Sequence, residues 1–276
     1  MIALQRIRTI KVIPAKYRGS SKMTKDKELL LAQRTFLNDA KKPVIFNSTF
    51  WTAAKDQLKV ESNGKCAYCE ANTEVVAHGD VEHYRPKSVY WWLAYTYDNY
   101  LYACQICNQT YKGVNFPVGA KMFTAPGVKK TSTDASIDKL VGNISPDPVD
   151  LKSKYPLSRF LTNHKKEKAY LINPYFEKPQ DFYAYAADDM LKEVKIVPTK
   201  PEYAPYIKAA EDYYGINRIE LKNLRYSTFS KFRAFKMAFG ALTDVGIKQE
   251  IKNQLDDMKS DGYLFAGMNR YFDGKL

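Results

Sequence analysis

Apolar residues recur at helical spacing between residues 26 and 40, where Leu29, Leu30, Ala32, Phe36, Leu37 and Ala40 fall on one side of a 3.6-residue period. The pattern predicts a helix from Asp26 to Ala40, ended by Pro43, after an extended arm anchored by Ile7, Ile10, Val12 and Ile13. A second helix is expected to begin at Asn47 or Ser48, either of which can cap it. It carries Phe50, Trp51, Ala54 and Leu58 and closes at Asn63-Gly64. From Gly113 to Phe160 the periodicity fades, and Pro117, Pro126, Pro146, Pro148 and Pro156 mark a long irregular segment. Strand-like runs return at 169–172 and 194–197. Pro205 to Tyr214 reads as a helix stopped by Gly215. Asn217 and Glu220 have the spacing of a capping box for a helix bearing Leu221, Leu224, Phe232, Phe235 and Phe239, and Ile247 to Met258 can form another.

Composition narrows the class. The chain has 276 residues, 45% of them hydrophobic and 26% charged, the balance of a globular protein with a core of its own. No run reaches the ~18–20 apolar residues of a membrane span, and the first residues lack the apolar stretch of a secretory signal. The expectation is therefore a cytoplasmic protein with no membrane contact. Lys and Arg exceed Asp and Glu by 43 to 30, and the excess is uneven. Residues 1–65 hold fourteen basic and five acidic side chains, residues 66–112 three and five, and residues 113–276 twenty-six and twenty. A basic arm before a slightly acidic segment favours a polyanionic partner such as nucleic acid, although a solvated charged face explains the same numbers.

All four cysteines belong to C-x-x-C pairs, Cys66 with Cys69 and Cys104 with Cys107. That spacing lets two thiolates grip one tetrahedral ion, so a structural zinc held by all four is expected. A redox pair needs only one such motif, and two disulfides suit an oxidising compartment.

Between and after the pairs lie Asp80-Val81-Glu82-His83-Tyr84-Arg85-Pro86-Lys87, then Asp98-Asn99, then Cys107-Asn108 and Lys112. This ordered pattern over residues 66–112 resembles the HNH nuclease family, whose catalytic unit is a ββα-metal fold clamped in one branch by two C-x-x-C pairs. The resemblance implies that His83 is the general base and Glu82 the acidic residue before it. It also implies that Asn99 orders the loop between the strands and that Asn108 is the last letter of the motif. The family more often has Asp where this chain has Glu82, and Asp80 faces the same way along a strand as a further carboxylate. A weaker, later layer looks similar to the HNH effectors of bacterial anti-phage defence, of the Septu and retron-associated type. It comprises Glu82 to Lys87, Leu171-Ile-Asn-Pro-Tyr175, Tyr214-Gly-Ile-Asn-Arg218 and Arg225. This similarity implies a partner, an ATPase of the same defence system.

The fold expected is α+β. A basic arm and helices (1–62) lead into a zinc-clamped ββα-metal unit (63–125), followed by an irregular linker (126–160) and a mostly helical C-terminal domain (161–276). The chemistry implied is phosphodiester hydrolysis, of DNA more than RNA. His83 would accept a proton from water. Glu82 and Asn108 would hold a hard divalent ion, Mg²⁺ or Mn²⁺, and Lys112, Arg85 and Lys87 would contact phosphates. His78 and His164 are read as incidental, and the aromatic run from Trp91 to Tyr102 as core. A non-catalytic zinc module that binds nucleic acid is the main alternative, and an RNA-cleaving nuclease the second. A zinc deaminase is excluded, because its H-x-E and P-C-x-x-C elements are missing: the chain has His78-Gly79-Asp80 and Ala103 before Cys104.

Overall fold

The computed structural model describes residues 1–73 and 79–276; His78 lies outside them. The chain opens with α1 (Gly19–Asn38), α2 (Ser48–Thr52) and α3 (Lys55–Glu61). Helix α1 starts seven residues before the expected Asp26, because Lys22 and Asp26 bury together as an ion pair at 2.7 Å and extend the packed face. Asn47 caps α2 by accepting from the Thr49 amide at 3.0 Å. Asn63 and Gly64, both at positive φ, then turn the chain toward the first cysteine pair.

Strands β1 (Gly79–His83) and β2 (Tyr100–Cys104) form an antiparallel pair with Glu82 opposite Leu101 and His83 opposite Tyr100. A wide π-helical turn (Ile106–Lys112) follows β2 directly. Beyond it come α4 (Asp134–Leu140), α5 (Leu157–Glu167) and α6 (Pro179–Phe182). Segment 126–160 was expected to be irregular. It nonetheless holds α4, capped by Thr133 and anchored by buried Ile137, and the start of α5. A second antiparallel pair, β3 (Tyr183–Asp188) and β4 (Glu193–Pro198), precedes α7 (Ala204–Tyr214), α8 (Ile219–Ala241), α9 (Val245–Met258) and α10 (Ala266–Asp273). The architecture is α+β.

Three differences from the sequence expectation have simple causes. Residues 169–172 are not a strand: Ala169 makes one bridge to Val118, and Leu171 and Ile172 are buried in the apolar core. The partner of β4 is β3, whose Tyr-Ala-Tyr-Ala alternation is short and ends in exposed positions. Asn217 does not cap α8, because its amide pairs with both backbone groups of Ile196 at 2.8 Å and ties β4 to the turn after α7.

One apolar cluster joins the two cysteine pairs and Tyr68 to Leu171, Tyr214, Phe232 and Met268. The cysteine region and the C-terminal helices therefore share a core. A second cluster packs α1, α2 and α3 against β1, β2 and Tyr95, Tyr97, Tyr100 and Tyr102, so these aromatics are core side chains. None of the described helices is long and apolar enough to cross a membrane.

Candidate active site

The four cysteines meet in the interior. Cys66, Cys69, Cys104 and Cys107 are all buried, and their sulfurs lie within 4.8 Å of one another. Cys66 and Cys69 sit in the turn after α3, while Cys104 ends β2 and Cys107 enters the π turn, so a metal held here would clamp the sheet to its flanks. Four soft thiolates in a closed, buried cluster suit a tetrahedral structural zinc ion. Arg218 reaches over from the Tyr214–Arg218 motif and donates to Cys107 Sγ at 3.6 Å, which places a fixed positive charge beside the thiolates. Gly215 makes that approach workable. It has φ +56°, and any Cβ there would meet the Tyr111 ring of the π turn at 2.4 Å.

Beside the cluster lies a cleft of about 300 Å³ lined by Glu82, His83, Lys87 and Asn108, with Phe46 and Val114 on its walls. Strand alternation sends Glu82 and His83 from β1 into different surroundings. The His83 ring packs edge-on against Trp51 (4.8 Å) and Tyr100 (5.1 Å). Its Nε2 is 3.0 Å from the Ala94 carbonyl oxygen. A carbonyl only accepts, so Nε2 carries the proton and the neutral ring keeps its lone pair on Nδ1. Burial lowers the His83 pKa to about 3, helped by the charges of Lys87 and Lys112 and opposed by the Ala94 bond. The ring is thus an unprotonated acceptor throughout the neutral range.

Glu82 is buried, and burial raises its pKa against the pull of Lys112. Lys112 forms an ion pair with Glu82 Oε1, and the Tyr68 hydroxyl donates to the same oxygen at 3.4 Å. Both contacts fall on Oε1, so Oε2 has no hydrogen-bond donor among the described residues. Asn108 sits on the π turn, half-buried, and its side-chain amide has no partner among the described residues. The wide turn carries Cys107 into the thiolate cluster and the next residue, Asn108, into the cleft. Such turns are frequent at functional sites. A carboxylate oxygen and an amide oxygen are hard donors, so the two side chains fit a divalent ion of the Mg²⁺ type.

The remaining expected residues divide. Lys87 lines the cleft, with its ammonium 5.1 Å over the Trp51 ring. Lys112 is fully buried and also donates to the His83 carbonyl at 3.0 Å, so both of its contacts are internal. Asp80 accepts from Gln109 at 2.8 Å and is not among the cleft residues. Asn99 is fully buried and does not line the cleft. Its Oδ1 accepts from the Arg85 amide and its Nδ2 donates to the Arg85 carbonyl, each at 2.9 Å, which ties the residues after His83 to the start of β2.

Arg85 corrects the expectation of a phosphate contact. It has no exposed surface, because Nε donates to Glu167 at 2.8 Å and an Nη to His164 Nδ1 at 2.8 Å, with the guanidinium 4.1 Å from the Phe123 ring. His164 in turn contacts Glu177 at 2.6 Å, so it belongs to a buried polar network and is not incidental. Arg85→Ala would strand Glu167 without its cation in the interior. The expected cost is about 3–5 kcal/mol of unfolding free energy, to be read from a urea titration; a loss near zero would show that water reaches the pair. The basic arm is also partly structural: Arg6 pairs with Glu61 at 2.9 Å and Arg8 pairs with Asp98, both acids being buried.

Sequence reasoning did not single out Tyr68, Trp51 or the Ala94 carbonyl, which orient Glu82 and His83. Tyr68 was readable only as the third residue of C-A-Y-C, and no local pattern marks a carbonyl eleven residues after the histidine it binds.

Over 106 aligned residues the chain is 37% identical to the Septu protein PtuB of Bacillus mycoides (strain KBAB4), an alignment that covers 33% of this chain and 35% of that protein. The chain thus matches about a third of the length of this curated relative. No protein-family description matches the chain, and no solved structure matches it.

Proposed function

We propose that the chain is a metal-dependent HNH endonuclease that hydrolyses phosphodiester bonds in DNA as the effector of a bacterial anti-phage defence system. The observation that carries this reading is the cleft in which Glu82, His83 and Asn108 meet beside a four-thiolate cluster. The similarity to a protein named for the Septu system supports the defence role.

In this reading the chain's own groups divide the work. His83 takes a proton from the attacking water at Nδ1, while the Ala94 carbonyl fixes the tautomer and stabilises the imidazolium as it forms. Glu82 and Asn108 would hold a Mg²⁺ or Mn²⁺ ion, which would supply charge neutralisation at the phosphate and at the departing oxygen. Lys112 and Tyr68 pin Glu82 Oε1 and so aim Oε2. Lys87 meets a phosphate oxygen at the cleft mouth. Cys66, Cys69, Cys104 and Cys107 would hold a zinc ion that fixes the scaffold and stays outside the chemistry. A cytoplasmic nuclease that is always active would harm its host, so an ATPase partner of the same system raises its activity.

Glu82→Gln keeps the side chain's length and removes its charge. Cleavage of plasmid DNA with added Mg²⁺ or Mn²⁺ is expected to fall by about 10² or more, with zinc content unchanged. Asn108→Ala is expected to fall less, because the carboxylate remains. Equal cleavage by the wild type with and without added Mg²⁺ or Mn²⁺ would contradict the assignment.

A further inference from the structure

A second cavity, of about 480 Å³, is larger than the cleft and shares none of its lining residues. We propose that it binds a nucleoside phosphate of mononucleotide size.

Its chemistry is one-sided. Lys121, Arg159 and Lys166 line it, and no carboxylate does. Arg159, Asn163 and Lys166 share a face of α5 by their spacing. Lys121 and Lys166 make no ion pair among the described residues. Arg159 is held in place: it donates to Asn143 Oδ1 at 3.0 Å and stacks 4.5 Å over the Tyr155 ring, whose hydroxyl accepts from Asn163 at 3.0 Å. A guanidinium fixed in this way, with two uncompensated ammonium groups lining the same cavity, concentrates anions and can pair its planar N–H fork with two oxygens of a tetrahedral phosphate. Thr124, Ala125 and Gly127 also line the cavity, and their backbone N–H groups donate to no protein acceptor among the described residues.

The other wall is apolar. Trp92, Phe123 and Ile144 are buried side chains that reach the cavity, so a phosphate alone would leave that wall unused. A ligand with a phosphate at one end and a flat base at the other uses both halves, and 480 Å³ is within the usual size of small-molecule sites. The floor also adjoins the network under the cleft. The Phe123 amide donates to Glu167 at 3.2 Å, and Glu167 holds Arg85, two residues after His83.

The test is calorimetric titration of the zinc-loaded full chain at about 0.15 M salt with ATP, dTTP, AMP, pyrophosphate, inorganic phosphate and a ten-residue oligothymidylate. The nucleoside triphosphates are expected to saturate one site with a dissociation constant below about 1 mM. Arg159→Glu and Lys166→Glu are exposed changes that keep the thermal midpoint, and each should weaken binding about tenfold or more. His83→Ala should bind as the wild type does, so the outcome is independent of the nuclease assignment. Absence of saturable nucleotide binding, or equal affinity in Arg159→Glu, would overturn the proposal. Pyrophosphate binding as tightly as ATP would overturn the role of the aromatic wall, and tighter binding of the oligonucleotide would overturn the small-molecule assignment.

Discussion

Cys104→Ser is expected to release the bound metal and lower the thermal midpoint more than any surface substitution. The four sulfurs lie within 4.8 Å of one another in the interior, where replacing one thiolate leaves three buried thiolates without a tetrahedral ion. Structural zinc contributes about 10–16 kcal/mol of apparent binding free energy in small zinc-folded peptides. The loss would not stay local here. The cysteines belong to the same apolar cluster as Tyr214, Phe232 and Met268, and Arg218 of the C-terminal region sits against Cys107. Metal analysis should give one zinc per chain for the wild type and clearly less for the variant, with a lower unfolding midpoint for the whole chain. An unchanged midpoint with full metal content would show that Cys104 is not a zinc ligand, and a wild type without zinc would show that the cluster is not a zinc site.

His83→Ala carries the largest expected effect on activity. The ring stands between Trp51 and Tyr100, oriented by the Ala94 carbonyl, and in the proposed mechanism its Nδ1 takes the proton from water. Removing a positioned general base costs about 10²–10⁴ in rate. Glu82, Asn108 and the thiolate cluster take no hydrogen bond from the His83 side chain, so metal content should be unchanged. The cavity left between two aromatic rings costs some stability, about 2–4 kcal/mol by analogy with core truncations. His83→Gln, which refills part of that space without a basic nitrogen, separates the two effects: it should regain stability and remain inactive.

The parts of this site that the sequence made legible are those that local spacing encodes. Two C-x-x-C pairs announce a four-ligand metal site because each knuckle is a local turn, and the structure brings all four thiols together. Glu82, His83 and Asn108 were readable as a pattern, and the cleft gathers them. Local reasoning failed where long-range packing decides. Arg85 and Lys112 looked like phosphate contacts because their charges are visible in the sequence, whereas the carboxylates they pair with, Glu167 and Glu82, are 82 and 30 positions away. Asn217 had the spacing of a helix cap, but the unpaired backbone of Ile196 competed for its amide and won. The α4 helix was hidden by the prolines around it, and β3 by its small alternating alanines. The Leu171–Tyr175 and Tyr214–Arg218 motifs gained a physical meaning from the fold. The first receives the Tyr84 hydroxyl at the Leu171 carbonyl (2.5 Å), and the second stacks Tyr214 on Tyr68 at 3.8 Å, so both brace the strand that carries Glu82 and His83.

The most direct measurement is a time course of supercoiled plasmid incubated with excess zinc-loaded chain in Mg²⁺ or Mn²⁺, run beside His83→Ala and His83→Gln of equal zinc content. Nicked and linear DNA that accumulates with the wild type and with neither variant is the predicted result. Plasmid left intact by the wild type, or cleaved equally by all three proteins, would contradict the account.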